Sequence, residues 1–145
     1  MSDMAEDRLH FQIITMAGVL YDRMVSMVDV PLSDGFIGIM AGNQPLLGSV
    51  VDGPVKCVYE GGKDYFYVGT GVLDVNNDNV SLLVRVAERA ETIDTIRTVG
   101  ALERAQAVLR KDLTTAERKE AMADLQRARA RLKAHDVFQN QSDII

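Results

Sequence analysis

The order of apolar and polar positions divides the chain in two. Up to about Glu88 the period is short. "LHFQII" alternates Leu9, Phe11 and Ile13 with polar neighbours, the two-residue period of a half-buried strand. "MVSMVDVPL" repeats it through Val28, Val30 and Leu32. Turn-forming residues recur between these runs: Ser33-Asp34-Gly35, Ala41-Gly42-Asn43, Asp52-Gly53-Pro54, Gly61-Gly62 and Asn76-Asn77-Asp78. "VKCVYEGGKDYFYVGTGVLDV" predicts a hairpin around Gly61-Gly62, and "LDVNNDNVSLLVRV" another around the Asn-Asp cluster. Many short strands joined by tight turns predict an antiparallel β-sandwich or barrel, not a parallel sheet with crossover helices.

After Glu91 the period lengthens. Thr92 is placed to cap a helix carrying Ile96, Leu102, Ala105 and Leu109. "KDLTTAERKE" interrupts it, and Thr114 with Glu117 has capping-box spacing, which predicts a second start. Ala121, Leu125, Ala128 and Leu132 then form an apolar stripe of coiled-coil type. Gly100, Ala101, Ala105, Ala121 and Ala128 are small enough for the two helices to approach closely. Three segments are expected: a β-sandwich over 1–88, an antiparallel α-helical hairpin over 89–136, and a flexible tail over 137–145. Each helix has a narrow seam and much charge, so the hairpin is expected to be marginally stable alone.

Composition adds limits. A chain of 145 residues, 47% of them hydrophobic, suffices for one domain with an extension. No apolar run approaches the roughly 20 residues that cross a bilayer. "MSDMAED" is acidic and polar, unlike a targeting segment, so a soluble bacterial cytoplasmic protein is expected. The single cysteine, Cys57, forms no intramolecular disulfide; alternation aims it with Val55 and Tyr59, as a buried thiol. His10 and His135 lack ligand spacing, and no metal site is expected.

Charge is less even than the net −5 implies. Residues 1–87 hold 5 basic and 11 acidic side chains, whereas residues 88–145 hold 11 and 10. Arg118, Lys119, Arg127, Arg129, Arg131 and Lys133 face only Glu120 and Asp124 along that stretch. A basic helix end on an acidic protein fits either a solvated face or an acidic partner surface. Nucleic acid is disfavoured, because no aromatics interleave the basic residues.

The candidate chemistry lies in "AERAETIDTIRTVGALERA", where Asp94 and Arg97 stand three apart. Folding the helices antiparallel about a turn near Leu113 sets position 95 beside position 131. Asp94 and Arg97 are then expected near Arg127 and Arg131, with Glu88 and Arg104 bordering the same groove. Two readings fit this cluster. One is a salt-bridge network closing the hairpin. The other is a site for a polyanion carrying a base, with guanidiniums for phosphates and carboxylates for an exocyclic amine. No GxGxxG, Walker or HExxH-like pattern occurs, and no serine has a histidine at motif spacing, so no catalytic residue is expected.

Two longer segments carry a resemblance. "GVLYDRMVSMVDVPLSDGFIGIMAGNQPLLGSV" and "GTGVLDVNNDNVSLLVRVAERAETID" are similar in order and spacing to the epsilon subunit of bacterial F-type ATP synthase. The similarity runs from Leu9 to Lys133. It implies a ten-stranded sandwich followed by a helical hairpin, in a non-catalytic rotor subunit at the cytoplasmic face of the bacterial membrane. The sandwich is then expected to dock on the gamma subunit and the c-subunit rotor ring, with Gly42, Asn43, Gln44, Pro45, Leu46 and Leu47 at that contact. The hairpin is expected either to pack on the sandwich or to open into the alpha and beta subunits of the catalytic head, blocking hydrolysis.

In some family members ATP binds the folded hairpin through an Ile/Leu-Asp-Xaa-Xaa-Arg-Ala motif and second-helix arginines. Here the motif reads Ile93-Asp94-Thr95-Ile96-Arg97-Thr98, and Glu88, Arg127 and Arg131 match. Thr98 departs from the family's alanine, with β-branched bulk beside any bound base. Asn43 stands where the family has histidine, which removes a titrating group from the loop. No cofactor is required on this reading, and regulatory ATP is the one ligand implied. A reading from another class is a free-standing nucleotide-sensing domain.

Overall fold

The computed structural model describes residues 6–145; residues 1–5, part of the acidic N-terminal segment, lie outside the described residues. Ten strands precede two helices. They are β1 (Leu9–Thr15), β2 (Gly18–Val25), β3 (Met27–Leu32), β4 (Gly35–Met40), β5 (Leu46–Val50), β6 (Gly53–Tyr59), β7 (Gly62–Val68), β8 (Gly71–Asn76), β9 (Asn79–Val84) and β10 (Ala87–Arg89). A short 3-10 turn, Ala90–Thr92, leads to α1 (Thr95–Leu109) and α2 (Thr115–Asn140).

Both expected hairpins form, and their turns explain the residues there. Tyr59 pairs with Gly62, leaving Glu60-Gly61 as a two-residue turn. Asn76 pairs with Asn79, and the intervening Asn77 and Asp78 both hold positive φ, 50° and 62°. That conformation matches the right-handed twist of the strands, and asparagine and aspartate tolerate it better than other side-chain-bearing residues.

The strands form one sheet in the order β10-β7-β6-β3-β5-β8-β9-β1-β2, with β4 on the other side of β3. Strand β3 joins its two halves: Met27–Asp29 pairs with β6, while Leu32 at its end pairs with Val50 of β5. The sheet thereby turns into two facing layers. Alternation sends Leu9, Phe11, Ile13, Val28, Val30, Ile39, Cys57, Phe66, Leu73, Val80 and Leu82 into one fully buried core between them. Each such large side chain contributes about 1.5–3 kcal/mol by leaving water. Cys57 lies in this core, and burial pushes its thiol pKa up to about 11. One pairing departs from the antiparallel expectation: β1 and β9 run parallel, His10 against Asn79. The whole sandwich separates these strands in sequence, so no tight turn imposes an antiparallel direction.

The helices lie on the outer face of β6 and β7. Tyr65 and Tyr67, on either side of the inward Phe66, point outward and are nevertheless buried. They form a second apolar cluster with Ala90, Ile93, Ala130, Ala134 and Val137. Helix α2 therefore carries two stripes. Ala121, Leu125 and Ala128 face α1, as the heptad spacing predicts, whereas Ala130, Ala134 and Val137 face the sheet. Helix α1 packs on α2 and makes no comparable contact with a strand.

Several sequence-based expectations need correction. Helix α1 starts at Thr95 with Asp94 as its N-cap; Thr92 instead closes the 3-10 turn, its hydroxyl donating to the Arg89 carbonyl at 2.8 Å. Ile96 is 86% exposed, because it stands two positions, about 200° around the helix, from the buried Thr98. The sandwich expected to end at 88 includes Arg89 in β10, and the helix expected to stop at 136 continues to Asn140. The tail expected to be flexible over 137–145 is docked: Val137 is buried and Phe138 and Ile144 pack beside it. The capping box at Thr114 and Glu117 forms in full, with both reciprocal hydrogen bonds.

Candidate functional site

A groove of about 860 Å³ runs between α1 and α2 from the end of β10 to the helix turn. Its lining includes all six residues that the sequence assigns to a nucleotide site: Glu88, Asp94, Arg97, Arg104, Arg127 and Arg131. Those on the helices meet because the helices are antiparallel about residues 110–114, and Glu88 joins them from β10. The volume lies within the range of small-molecule pockets.

At the sandwich end the groove is tied together by Arg131. Its Nε donates to Glu88 Oε1 at 2.6 Å, and its guanidinium lies 4.5 Å from the Tyr67 ring centroid. Tyr67 in turn donates its hydroxyl to Asp52 Oδ1 at 3.3 Å. Burial, and then the nearby Asp52 carboxylate, push the Tyr67 pKa up to about 12, so the phenol remains a donor. One arginine thus links the middle of α2 to β10 and β7, combining a charge-assisted hydrogen bond with stacking.

Asp94 and Arg97 do not form the side-chain pair suggested by their spacing. The Asp94 carboxylate accepts from the Arg97 backbone N–H at 3.0 Å, satisfying one of the open donors of the first turn. The N-cap position explains why: the carboxylate is engaged by the backbone of the first turn. Thr98 is buried, and its hydroxyl donates to the Asp94 carbonyl at 2.7 Å.

Arg127 pairs with Asp124 one turn earlier on its own helix. Arg97 and Arg104 form no ion pair among the described residues. Glu117, Glu120 and Asp124 also line the groove, so its four guanidiniums meet five carboxylates. The arginines without an ion-pair partner among the described residues are thus Arg97 and Arg104, both on α1. Sequence reasoning missed Tyr67 and these three acids. The signal for Tyr67 was present in "DYFYV", where aromatic residues on both faces of a strand mean that both faces are covered.

The second expected site, Gly42 to Leu47, spans the loop after β4 and the first two residues of β5. Gly42 takes φ 85° and its N–H donates to Asp78 Oδ1 at 2.8 Å, fastening the loop to the β8–β9 turn. Asn43 Nδ2 donates to the Gln44 carbonyl at 2.9 Å. Gln44 and Pro45 are exposed and Leu47 is 74% exposed, whereas Leu46 packs against the sandwich core. Register also lines up Val19, Ile14, Leu83 and Val72 across the outer face of β2, β1, β9 and β8. Val19, Leu83 and Val72 there are exposed, giving an apolar stripe that the sequence reading did not single out. Among the described residues no helix is long and apolar enough to cross a membrane.

Residues 8–90 match the family described as ATP synthase, Delta/Epsilon chain, beta-sandwich domain. The ATP synthase epsilon chain of Solibacter usitatus is 37% identical over 130 residues, covering 90% of this chain and 97% of that relative. The ATP synthase epsilon chain of Shouchella clausii is 36% identical over 124 residues, covering 86% and 92%. Among solved structures, a chain from the Euglena gracilis mitochondrial ATP synthase (OSCP/F1/c-ring in rotational state 1) superposes with a TM-score of 0.78 at 20% identity, covering 90% of this chain and 82% of that one. A chain from the central stalk/c-ring of the Tetrahymena thermophila mitochondrial ATP synthase gives 0.63 at 14% identity, covering 91% and 99%. These two likenesses establish the shared fold. With its sandwich matched nearly end to end, and relatives more than a third identical over almost their whole length, the chain belongs to the ATP synthase epsilon chain family.

Proposed function

We propose that this chain is a non-catalytic central-stalk subunit whose sandwich couples the rotor and whose hairpin restrains ATP hydrolysis. It acts at the cytoplasmic face of the bacterial membrane, peripherally. The exposed Leu47 and its neighbours in the Gly42–Leu47 segment face the c-subunit ring, and the apolar stripe of Val19, Leu83 and Val72 faces gamma. The observation that carries the regulatory part is the attachment of the hairpin. Helix α1 rests on α2, and α2 rests on the sheet chiefly through Ala130, Ala134 and Val137. Alanine side chains bury little area, so lifting the hairpin leaves the separate sandwich core intact. Once lifted, the basic stretch from Arg118 to Lys133 meets acidic surfaces of the catalytic alpha and beta subunits. The experiment is ATP hydrolysis by the purified synthase carrying this chain truncated after Ala90. Hydrolysis rises several-fold on this reading, and an unchanged rate contradicts it.

A second reading concerns ATP as a regulatory ligand. It is supported by the two arginines, Arg97 and Arg104, that line the groove without an ion-pair partner among the described residues. Phosphates held there bridge α1 to the Arg127–Arg131 face of α2 and favour the closed hairpin. Isothermal titration of the isolated chain with ATP tests it. A saturable one-site heat that disappears in the Arg97→Ala/Arg104→Ala variant supports the site, and no heat in the native chain refutes it.

A further inference from the structure

The last residues of the chain hold α2 against the sandwich through residues that do not line the groove between the helices. Helix α2 ends when Gln141 takes the left-handed conformation, φ 49° and ψ 38°. Gln141 N–H then donates to the Phe138 carbonyl at 3.1 Å and Ser142 N–H to the Val137 carbonyl at 2.9 Å. This closure satisfies open carbonyls of the last turn and reverses the chain toward the sheet. Two strands receive it. On β7 the Tyr65 hydroxyl donates to the Ser142 carbonyl at 3.2 Å. On β6 Lys56 Nζ donates to Asp143 Oδ1 at 2.6 Å. Ile144 then joins the apolar cluster beneath the helix.

Lys56 is the unusual member. Its side chain is 2% exposed, whereas that of Asp143 is 81% exposed. It sits on the outer face of the sheet, opposite the buried Asp29 of β3 in register and 5.9 Å from the Tyr65 ring centroid. A lysine is seldom so covered unless its charge is matched, and the only carboxylate within ion-pair distance of it among the described residues is supplied by the tail. The surface under α2 thus contains a cation whose salt-bridge partner arrives only when the chain end folds back.

We propose that residues 141–145 form a clasp, keyed by Asp143 on Lys56, that sets how readily the helical hairpin leaves the sandwich. When α2 lifts, Lys56 and Asp29 return to water and Asp143 is released with the tail. When α2 docks, the carboxylate must land on Lys56 to complete the cover. The inference rests on the proposed release of the hairpin, but its test reads the release itself, not inhibition of hydrolysis.

Hydrogen exchange by mass spectrometry on the purified full-length chain at neutral pH provides that test. Asp143→Asn keeps the shape of the clasp while removing its charge, and truncation after Asn140 removes the clasp entirely. Exchange over residues 125–140 is expected to quicken at least about threefold in Asp143→Asn and about tenfold in the truncated chain. Strands β1 and β9 keep their native rates in both. In a Lys56→Met background, Asp143→Asn is expected to add less than about twofold, because the pair is already broken. Native exchange over α2 in both tail variants overturns the proposal. So does equal acceleration in β1 and β9, since the tail would then stabilise the whole fold instead of the docking of the hairpin.

Discussion

The sandwich and the hairpin are both buried structures, but they are buried by different means. Between the sheet layers the contacts are made by Phe11, Phe66, Leu73, Leu82 and a dozen other large apolar side chains, nearly all fully covered. Beneath α2 the helix contributes Ala130, Ala134 and Val137 to the covering of Tyr65 and Tyr67. Named polar contacts hold the rest: Arg131 on Glu88, Tyr65 on Ser142 and Lys56 on Asp143. A core of large side chains loses several kcal/mol for each one removed and opens only by unfolding. An alanine seam with discrete polar ties can part and close again as a unit. On the proposed function, the difference lets one chain provide both a rigid rotor element and a movable one.

The largest effect should separate these regions directly. Phe11→Ala is expected to destabilise the whole protein by about 3–5 kcal/mol, lowering the melting temperature of strands and helices together. Leu125→Ala, in the seam between the helices, should cost about 2 kcal/mol and leave exchange in β1 and β9 unchanged. Equal loss of sandwich protection in both variants would erase the distinction. A smaller effect is expected at the groove. A double-mutant cycle of Glu88→Gln and Arg131→Met, read by chemical denaturation, should give a coupling of about 0.5–1 kcal/mol, because both side chains are partly solvated. No coupling would mean that the contact is incidental to docking.

The smallest effect depends on pH. Burial raises the Asp29 pKa above its ordinary value, a shift that Lys56 opposes and Asp143 adds to. A carboxyl whose folded pKa is raised contributes stability below its unfolded pKa and loses it as the pH rises through the folded value. The native chain should therefore gain on Asp29→Asn between about pH 6 and pH 3 in thermal unfolding, provided both retain Asp143. The Asp143 carboxyl, held below its usual range chiefly by its hydrogen bond from Lys56, acts with the opposite sign in both proteins and cancels. A stability difference independent of pH would show that Asp29 is not held in a raised state.

Much of the fold was legible because its signals are local. The alternation through Leu9, Phe11 and Ile13, the Asn77-Asp78 turn and the Thr114–Glu117 capping box each depend on residues within one turn or strand. The lining of the groove was legible for a related reason: an antiparallel hairpin fixes which positions on the two helices meet. What escaped the sequence depends on partners far away along the chain. The parallel pairing of β1 with β9, the outward tyrosines covered by α2 and the landing of Asp143 on Lys56 are all of this kind. The second stripe of α2 was hidden because it consists mostly of alanines, which carry little hydrophobic signal. Thr92 is a good capping residue that the 3-10 turn uses first, which leaves the cap of α1 to Asp94.

The central claim is that the hairpin must leave the sandwich to restrain hydrolysis. Cysteines at positions 88 and 131, replacing Glu88 and Arg131, with Cys57 changed to serine, can be joined by a short cleavable cross-linker in the assembled synthase. The account predicts fast ATP hydrolysis while the linker holds α2 on β10, and a fall to the restrained rate once it is cleaved. A rate that is the same before and after cleavage would contradict it.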